Sequence, residues 1–187
     1  MLSRVADHLC WMARYVERAE NLARLMLVQT ELLLDAATVG DSLENTWSPV
    51  LTATAMEELF AEHYPNPKVG SVTYFLTLDE ENPGSIWSCV SEARENARTV
   101  RDQISEAMWA GLNDMFLFFG SKSARSLFER SPQAFYERVI HTSLHFDGIT
   151  AATLPRTEGW HFIQLGRYLE RADKTSRFVD ILSLIHI

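Results

Sequence analysis

The first forty residues place apolar side chains at the period of an α-helix. Mostly apolar positions return at steps of three and four residues, which puts them on one helical face. These positions are Val5, Leu9, Met12, Val16, Ala19, Ala23, Leu27, Thr30 and Leu34. Ser3 is a suitable N-cap and Gly40 a suitable stop for such a helix. The pattern predicts a first helix from about Ser3 to Ala37.

Capping and turn residues divide the middle of the chain into further helices. Ser48-Pro49, Asn82-Pro83 and Ser131-Pro132 each join a capping residue to a proline, which is typical of a helix start. They predict helices over about 49–64, from 82 onward with a continuation over 108–119, and over about 131–153. Residues 121–130 are predicted to be a connector or a partial helix. Residues 69–79 favour a strand by propensity. We nevertheless predict a short helix there, because no second strand is available for pairing.

Four predicted helices after the first have their own apolar row, and the last of them is predicted from about Glu158 onward. The candidate rows are Leu51, Met56, Leu59 and Phe60; Ile86, Val90, Ala93, Ala97, Val100 and Ile104; Phe135, Val139, Ile140, Leu144 and Ile149; and Leu165, Leu169, Ala172, Ser176 and Val179. The sequence therefore predicts an all-α fold, a single helical bundle of about five to seven helices. We expect the first and last helices to lie side by side, antiparallel or crossing.

Composition and charge limit the classes of protein that fit this bundle. A chain of 187 residues with 47% hydrophobic and 22% charged residues fits one domain, which we place at 1–187. The formal charge of −8 argues against nucleic acid as the main partner. No apolar run is long enough for a membrane span, and the first residues do not resemble a secretory segment. Cys10 and Cys89 have no metal or redox spacing, which favours a reducing cytoplasm.

One short motif occurs near both ends of the chain. Residues 14–20 read RYVERAE and are followed by Arg24, while residues 167–173 read RYLERAD and are followed by Arg177. We call these the two Glu-Arg motifs. Their charged residues are Glu17, Arg18, Glu20 and Arg24 in the first, and Glu170, Arg171, Asp173 and Arg177 in the second.

The arginine of each motif shares a helix face with large apolar side chains. At about 100° per residue, Arg18 lies roughly 140° from the centre of the apolar row, beside Trp11, Leu22 and Leu25. A buried arginine needs carboxylates, because an unpaired buried charge costs several kcal/mol. We therefore predict that both arginines are mostly buried and paired between the helices. The expected partners are Glu170 or Asp173 for Arg18, and Glu17 or Glu20 for Arg171.

Two interpretations of the Glu-Arg motifs remain open at this point. In the first, they form a structural salt-bridge network where two helices meet. In the second, they form a shared polar seam whose arginines bind a carboxylate or phosphate of a ligand. Contact between the two helices follows from either interpretation.

Histidines offer an alternative, metal-binding chemistry. His141 and His145 are four residues apart and share one helix face, while Glu158 and His161 have the Glu-x-x-His spacing of di-iron bundles. Such bundles need two of these motifs with further glutamates, and the chain has one. Glu158 is also explained as a carboxylate at a helix N-terminus. We therefore favour solvated or core histidines and predict no cofactor. No catalytic triad, nucleophile elbow or phosphate loop is present.

The motifs together resemble the bacterial alpha-E domain family, an all-helical group named for its Glu-Arg motif. The matching stretches are residues 1–4, 11–24, 79–86, 93–98, 158–162 and 169–173. The resemblance implies a helical fold and a genomic association with ATP-grasp ligase-like and transglutaminase-like proteins. For that group it implies peptide synthesis or modification, without an established reaction. Family members generally continue beyond the second Glu-Arg motif, so we expect the chain to be truncated at its C-terminus.

Two functions of different classes follow. The domain is either a non-catalytic scaffold or accessory partner of the ATP-grasp-like and transglutaminase-like proteins, or an enzyme or ligand-binding domain that uses the Glu-Arg seam. The sequence shows no readable nucleophile–base pair. It therefore favours the scaffold and leaves the question of catalysis open.

Overall fold

A computed structural model describes residues 1–39, 47–65 and 68–185. Within these ranges the chain forms nine α-helices and no strand, which confirms the all-α prediction. The helices are α1 (Ser3–Val39), α2 (Ser48–Thr54), α3 (Glu57–His63), α4 (Val69–Thr77), α5 (Ile86–Thr99), α6 (Glu106–Phe119), α7 (Lys122–Arg130), α8 (Pro132–Thr153) and α9 (Glu158–Ile185). A short 3-10 turn, Arg101–Gln103, lies between α5 and α6.

The helix count exceeds the predicted five to seven for two local reasons. The helix predicted over 49–64 divides at Ala55, which adopts the left-handed conformation with φ of 55° and closes α2. The predicted connector over 121–130 is helical as α7, and the Ser121 hydroxyl caps it by accepting a hydrogen bond from the Ala124 amide. The ambiguous stretch around residues 69–77 is helical, as predicted.

The proline-containing start signals mark the right regions but not always the capping residue. The N-cap of α2 is Trp47, not Ser48. Asn82 is buried in the turn before α5, where its side chain donates to the Phe75 carbonyl at 2.9 Å and accepts from the Gly84 amide at 2.8 Å. Ser85 is the residue that caps α5, by accepting from the Ser88 amide at 3.1 Å.

Helix α1 is the element on which most of the fold packs, because it lies against α9, α5 and α8. At about 1.5 Å per residue its 37 residues extend for roughly 55 Å. Two apolar clusters follow it. Leu9, Met12 and Val16 pack with Ala97, Met108 and neighbours. The second cluster surrounds Ala23 and Met26 and includes helices α2 to α8.

Some of the predicted apolar rows are buried and others are exposed. The row predicted from Ile86 to Ile104, which we call the α5 row although Val100 and Ile104 follow the end of α5, is buried throughout, with exposures from 0% to 9%. The row on α9, namely Leu165, Leu169, Ala172, Ser176 and Val179, is exposed, and we call it the α9 row. Its side chains do not enter the core, because α9 turns Ile163 and Glu170 inward instead. In α8, Leu144 is likewise exposed rather than buried.

Within the described parts of the chain, none of the helices combines the length and apolar character that crossing a membrane requires.

Candidate functional site

The two Glu-Arg motifs lie side by side on α1 and α9, and the two helices run parallel. The Met1 ammonium contacts the Glu158 carboxylate at 2.8 Å, at the start of both helices. Farther along, the Glu17 carboxylate contacts the Arg171 guanidinium. Because residues later in α1 meet residues later in α9, the helix directions agree. The antiparallel arrangement considered from the sequence is therefore wrong.

Gly166 brings the two helices into close approach just before the motifs. A Cβ atom at this position would lie 2.2 Å from the backbone oxygen of Cys10. Only glycine leaves room for the backbone of α1 there. The close approach sets the spacing at which side chains of one motif reach the other.

Each motif arginine forms a two-bond pair with the glutamate of the other motif. Arg18 donates from Nε and Nη2 to Glu170 at 2.6 and 2.9 Å. Arg171 donates from the same two atoms to Glu17 at 2.8 and 2.9 Å. The predicted exchange of partners between the helices is therefore present. Parallel bonds of this kind are among the strongest ion-pair geometries.

A second arginine reaches each of the two glutamates from the start of the motif. Arg14 donates to Glu170 at 3.1 Å, and Arg167 donates to Glu17 at 3.3 Å. Equivalent positions of the two motifs thus make equivalent contacts. These equivalent contacts of four arginines and two glutamates indicate an approximate local twofold axis along the helix pair.

The remaining charged pairs stay within one helix. Arg24 donates to Glu20 at 3.0 and 2.8 Å, and Arg177 donates to Asp173 at 3.0 and 3.1 Å. Glu20 and Asp173 are therefore not the cross-helix partners that the sequence left open as alternatives. Each helps instead to hold a flanking arginine.

The glutamates are the buried members of the network. The side chains of Glu170 and Glu17 are 0% and 2% exposed, while those of Arg18 and Arg171 are 24% and 45% exposed. The prediction that both arginines are mostly buried is thus wrong for Arg171. A long aliphatic stem lets an arginine head reach a buried carboxylate from the surface, whereas a glutamate is too short to do so.

The protonation states in this network are set by competition between burial and pairing. Burial alone would raise the pKa of Glu170, but hydrogen bonds and positive charge from Arg18, with a further bond from Arg14, lower it. Burial acts to lower the pKa of Arg18, and Glu170 more than offsets this, so that it is raised. Both groups are therefore held in their charged forms.

The two sides of the local twofold axis differ. On the side of α8, Arg167 also pairs with Asp147, which is 21% exposed. Burial raises the pKa of Asp147 to about 6, although Arg167 acts to lower it. Asp147 is thus a second carboxylate for Arg167, and it has no counterpart in the repeated motif.

On the opposite side, the network borders a cavity of about 270 Å³. Its charged lining residues are Arg14, Arg18, Lys174, Arg177 and Asp173. Apolar side chains of α1, α2 and α9 and the residues around Ala55 complete its wall. This half of the site is open and rich in positive charge.

The sequence pointed to some of these residues and missed others. Arg14 and Arg167 occupy the first position of each motif. The repeat could therefore have identified them as members of the network. Lys174 breaks the repeat, since Asn21 occupies the equivalent position. Asp147 follows no pattern that would have linked it to the motifs.

The candidate metal ligands do not assemble with one another. His141 and His145 are exposed on α8 beside a second surface cavity, which Arg138 also lines. Glu158 bonds the Met1 ammonium, and the ring of His161 lies edge-on to Trp160. Among the residues that the structure describes, no three or more His, Cys, Asp or Glu side chains are grouped as metal ligands.

Comparison with known proteins identifies the family to which the chain belongs. Residues 1–185 match the family model "Alpha-E", described as a predicted alpha-helical domain with a conserved ER motif. Uncharacterized protein Mb2597 of Mycobacterium bovis is 31% identical over 90% of this chain. Uncharacterized protein Rv2567 of Mycobacterium tuberculosis is 30% identical over the same share. The chain spans about a fifth, 21%, of the length of these curated relatives. No solved structure matches significantly.

Proposed function

Because the chain belongs to the Alpha-E family of helical domains, we propose that it is a non-catalytic scaffold or accessory partner of ATP-grasp ligase-like and transglutaminase-like proteins. It would serve them in peptide synthesis or modification. The observation that carries this proposal is the exposed α9 row. The partner classes come from the genomic association that the alpha-E resemblance implies.

The α9 row has the spacing that a partner helix needs. Leu165 and Leu169 are each 48% exposed and Val179 is 58% exposed, with Tyr168 exposed beside them. The row advances by alternating steps of four and three residues, which is the spacing of a helix-pairing seam. An apolar row of this kind on a surface helix supports docking of an amphipathic helix. We therefore assign the row to one helix presented by the partner protein.

The arrangement of the Glu-Arg motifs supports a structural rather than a catalytic role for them. Glu17 and Glu170 are buried and each is bonded by two arginines. The arginines lower the pKa of Glu170, and a carboxylate with a lowered pKa is poorly suited to proton transfer near neutral pH. The motifs instead fix α9 in register on α1, and this orients the α9 row outward.

Two further parts of the proposal concern the cellular location of the protein and the bounds of the domain. Cys10 and Cys89 are free thiols, which supports a reducing cytoplasmic environment. The packing of the first helix against the last supports a single domain over 1–187.

The test uses the purified chain with purified ATP-grasp-like and transglutaminase-like proteins of the same organism. Binding is measured by isothermal titration calorimetry and by co-elution in size-exclusion chromatography. The test variant is Leu165→Glu combined with Leu169→Glu, which places charges in the α9 row. The control is Leu117→Glu, because Leu117 on α6 is also an exposed leucine, at 59%. Circular dichroism checks that each variant is folded.

We expect the wild type and the Leu117→Glu control to bind at least one of the two proteins with the same affinity. The α9 variant should bind at least about tenfold more weakly, since charged groups in an apolar interface must be desolvated. Failure of the wild type to bind either protein would overturn the proposal. Equal binding by the wild type and the α9 variant would show that the α9 row is not the surface that binds the partner.

A further inference from the structure

We propose that the cavity beside the first half of the network binds a small oxyanion, a carboxylate or phosphate group carried on a compact, partly apolar molecule. The cavity lies between α1, α9 and the turn after α2. The cavity faces away from the α9 row, because its lining residue Lys174 stands about 160° from Ala172 around the helix. The site is thus separate from the proposed docking surface and does not depend on it.

The charge around the cavity favours an anion. Four cations surround it, namely Arg14, Arg18, Lys174 and Arg177. Among the described residues, two carboxylates pair with them, Glu170 and Asp173. The cavity therefore retains an excess of positive charge in a partly enclosed space, where charge interactions are stronger than in bulk water. An oxyanion would restore the balance.

The local twofold axis gives an independent argument for the same conclusion. Arg167 bonds Glu17 and also contacts Asp147 from α8. Its equivalent, Arg14, bonds Glu170 and lines the cavity. The protein thus supplies a second carboxylate to the arginine on one side of the axis. On the other side, the equivalent arginine borders space that a ligand oxyanion can enter.

Among the residues of the cavity, Lys174 would gain the most stabilisation from a bound oxyanion. Its side chain is 15% exposed, and its ammonium lies 3.8 Å from the nearer Asp173 oxygen, which is beyond hydrogen-bond distance. Burial lowers the pKa of Lys174, although the charge of Glu170 acts to raise it. A buried ammonium with few bonds gains strongly from an anionic partner.

The size and the apolar wall of the cavity limit the ligand. A volume of about 270 Å³ is slightly below the roughly 300–1,000 Å³ of most small-molecule sites. This volume suits a small acid better than a nucleotide. The larger apolar side chains of the wall are Leu22, Leu25, Met56 and Phe178. The ligand class is therefore an anionic head on a small hydrocarbon body.

The test measures binding of two probes, inorganic phosphate and butyrate, with sodium chloride at matched ionic strength as the salt control. Affinities come from isothermal titration calorimetry and from the rise in melting temperature with probe concentration. The pocket variants are Lys174→Met and Arg177→Met. The matched control is Arg24→Met, because Arg24 is the equivalent of Arg177 in the first motif, pairs with Glu20 in the same way and does not line the cavity.

We expect saturable stabilisation of the wild type and of Arg24→Met by at least one probe. Each pocket variant should lose about tenfold in affinity for that probe, the effect of one charge-assisted hydrogen bond. Preference for phosphate or for butyrate identifies the ligand head group. No saturable binding of either probe to the wild type would overturn the proposal. An equal loss of affinity in Arg24→Met and Arg177→Met would also overturn it. The loss would then reflect the lower positive charge of the whole protein and not a contact in the cavity. If Lys174→Met does not fold, the comparison of Arg24→Met with Arg177→Met decides alone.

Discussion

Arg18 on α1 and Glu170 on α9 are joined by two hydrogen bonds of 2.6 and 2.9 Å, and the Glu170 side chain is fully buried. This pair connects residues near the two ends of the chain. Since Glu170 is ionised and shielded from water, its charge depends on the arginines for stabilisation. The pair therefore holds the first helix and the last helix together.

Replacing Arg18 with Met should lower the free energy of unfolding by about 3 kcal/mol, because Glu170 would stay buried with Arg14 as its remaining arginine. Urea denaturation followed by circular dichroism measures the change. Arg98→Met is the control. Arg98 pairs with Glu95 at the surface, with the two side chains 65% and 41% exposed, so its loss should cost less than about 1 kcal/mol.

A double variant then separates charge burial from packing. Arg18→Met combined with Glu170→Leu should be less destabilised than Arg18→Met alone, because the unpaired carboxylate is gone. If the double variant is as unstable as the single variant, the buried charge of Glu170 is not what destabilises Arg18→Met.

Replacing Gly166 with Ala should destabilise the protein by about 3 kcal/mol, since the added Cβ would meet the Cys10 backbone oxygen at 2.2 Å. Gly148→Ala is the matched control, because Gly148 is also a helical glycine and a Cβ there meets nothing within 4 Å. The control should be more stable than the wild type by roughly 0.5–1 kcal/mol. Thermal and urea unfolding of both variants test the pair. Similar stability of the two variants would count against close helix contact at Gly166.

Asp147 should make stability fall as pH rises. Its pKa is about 6 in the folded protein and 3.8 in its ordinary state, so between these values the folded protein binds more protons than the unfolded chain. Stability from this group is fully present below about pH 4 and is lost as pH rises through 6. A shift of this size corresponds to at most about 3 kcal/mol.

Asp147→Asn removes that titration. Urea denaturation of both proteins from pH 4 to pH 7 should show the wild type losing stability relative to Asp147→Asn. Glu170 contributes the opposite trend, because its lowered pKa gives stability that is lost as pH falls through the folded value. Glu170 is present in both proteins, so the difference between them reports Asp147. Parallel pH profiles would contradict the prediction.

Ser85→Ala should destabilise the protein by about 1 kcal/mol, because the Ser85 hydroxyl accepts a hydrogen bond from the Ser88 amide at the start of α5. Ser131→Ala is the control, since Ser131 precedes α8 without a side-chain capping bond. The control should change stability by less than about 0.5 kcal/mol. Equal effects in thermal unfolding would show that the Ser85 bond contributes little.

The sequence predicted most of the helices because they follow from local periodicity, and it predicted the exchange of partners because the motif occurs twice. The α5 row is fully buried, and Arg18 reaches Glu170 as the repeated motif suggested. The parallel direction of α1 and α9 could not be read in this way. Reciprocal pairs between two copies of one motif form in a parallel or an antiparallel pair, so the repeat does not decide between them.

The sequence predicted which residues contact one another better than it predicted which side chains are buried. The periodicity of Leu165, Leu169 and Val179 shows that α9 has an apolar row, but not whether another element covers it. The sequence also could not show that Arg171 is half exposed while its partner Glu17 is buried. Asp147 joins the site from α8, and only the packing of three helices reveals it.

The parallel pairing of α1 with α9 also has a consequence for the order of folding. Helix α1 is synthesised first, yet the residues that neutralise its buried Glu17 lie about 150 positions later, on α9. Contacts at such separation close a long loop and form slowly. The surface of α1 that carries Glu17 therefore stays uncovered until α9 is made, and a ribosome that stops before Arg167 would release a chain without the contact between α1 and α9. Such partly folded chains expose apolar surface and aggregate, so production of this protein should be sensitive to premature termination.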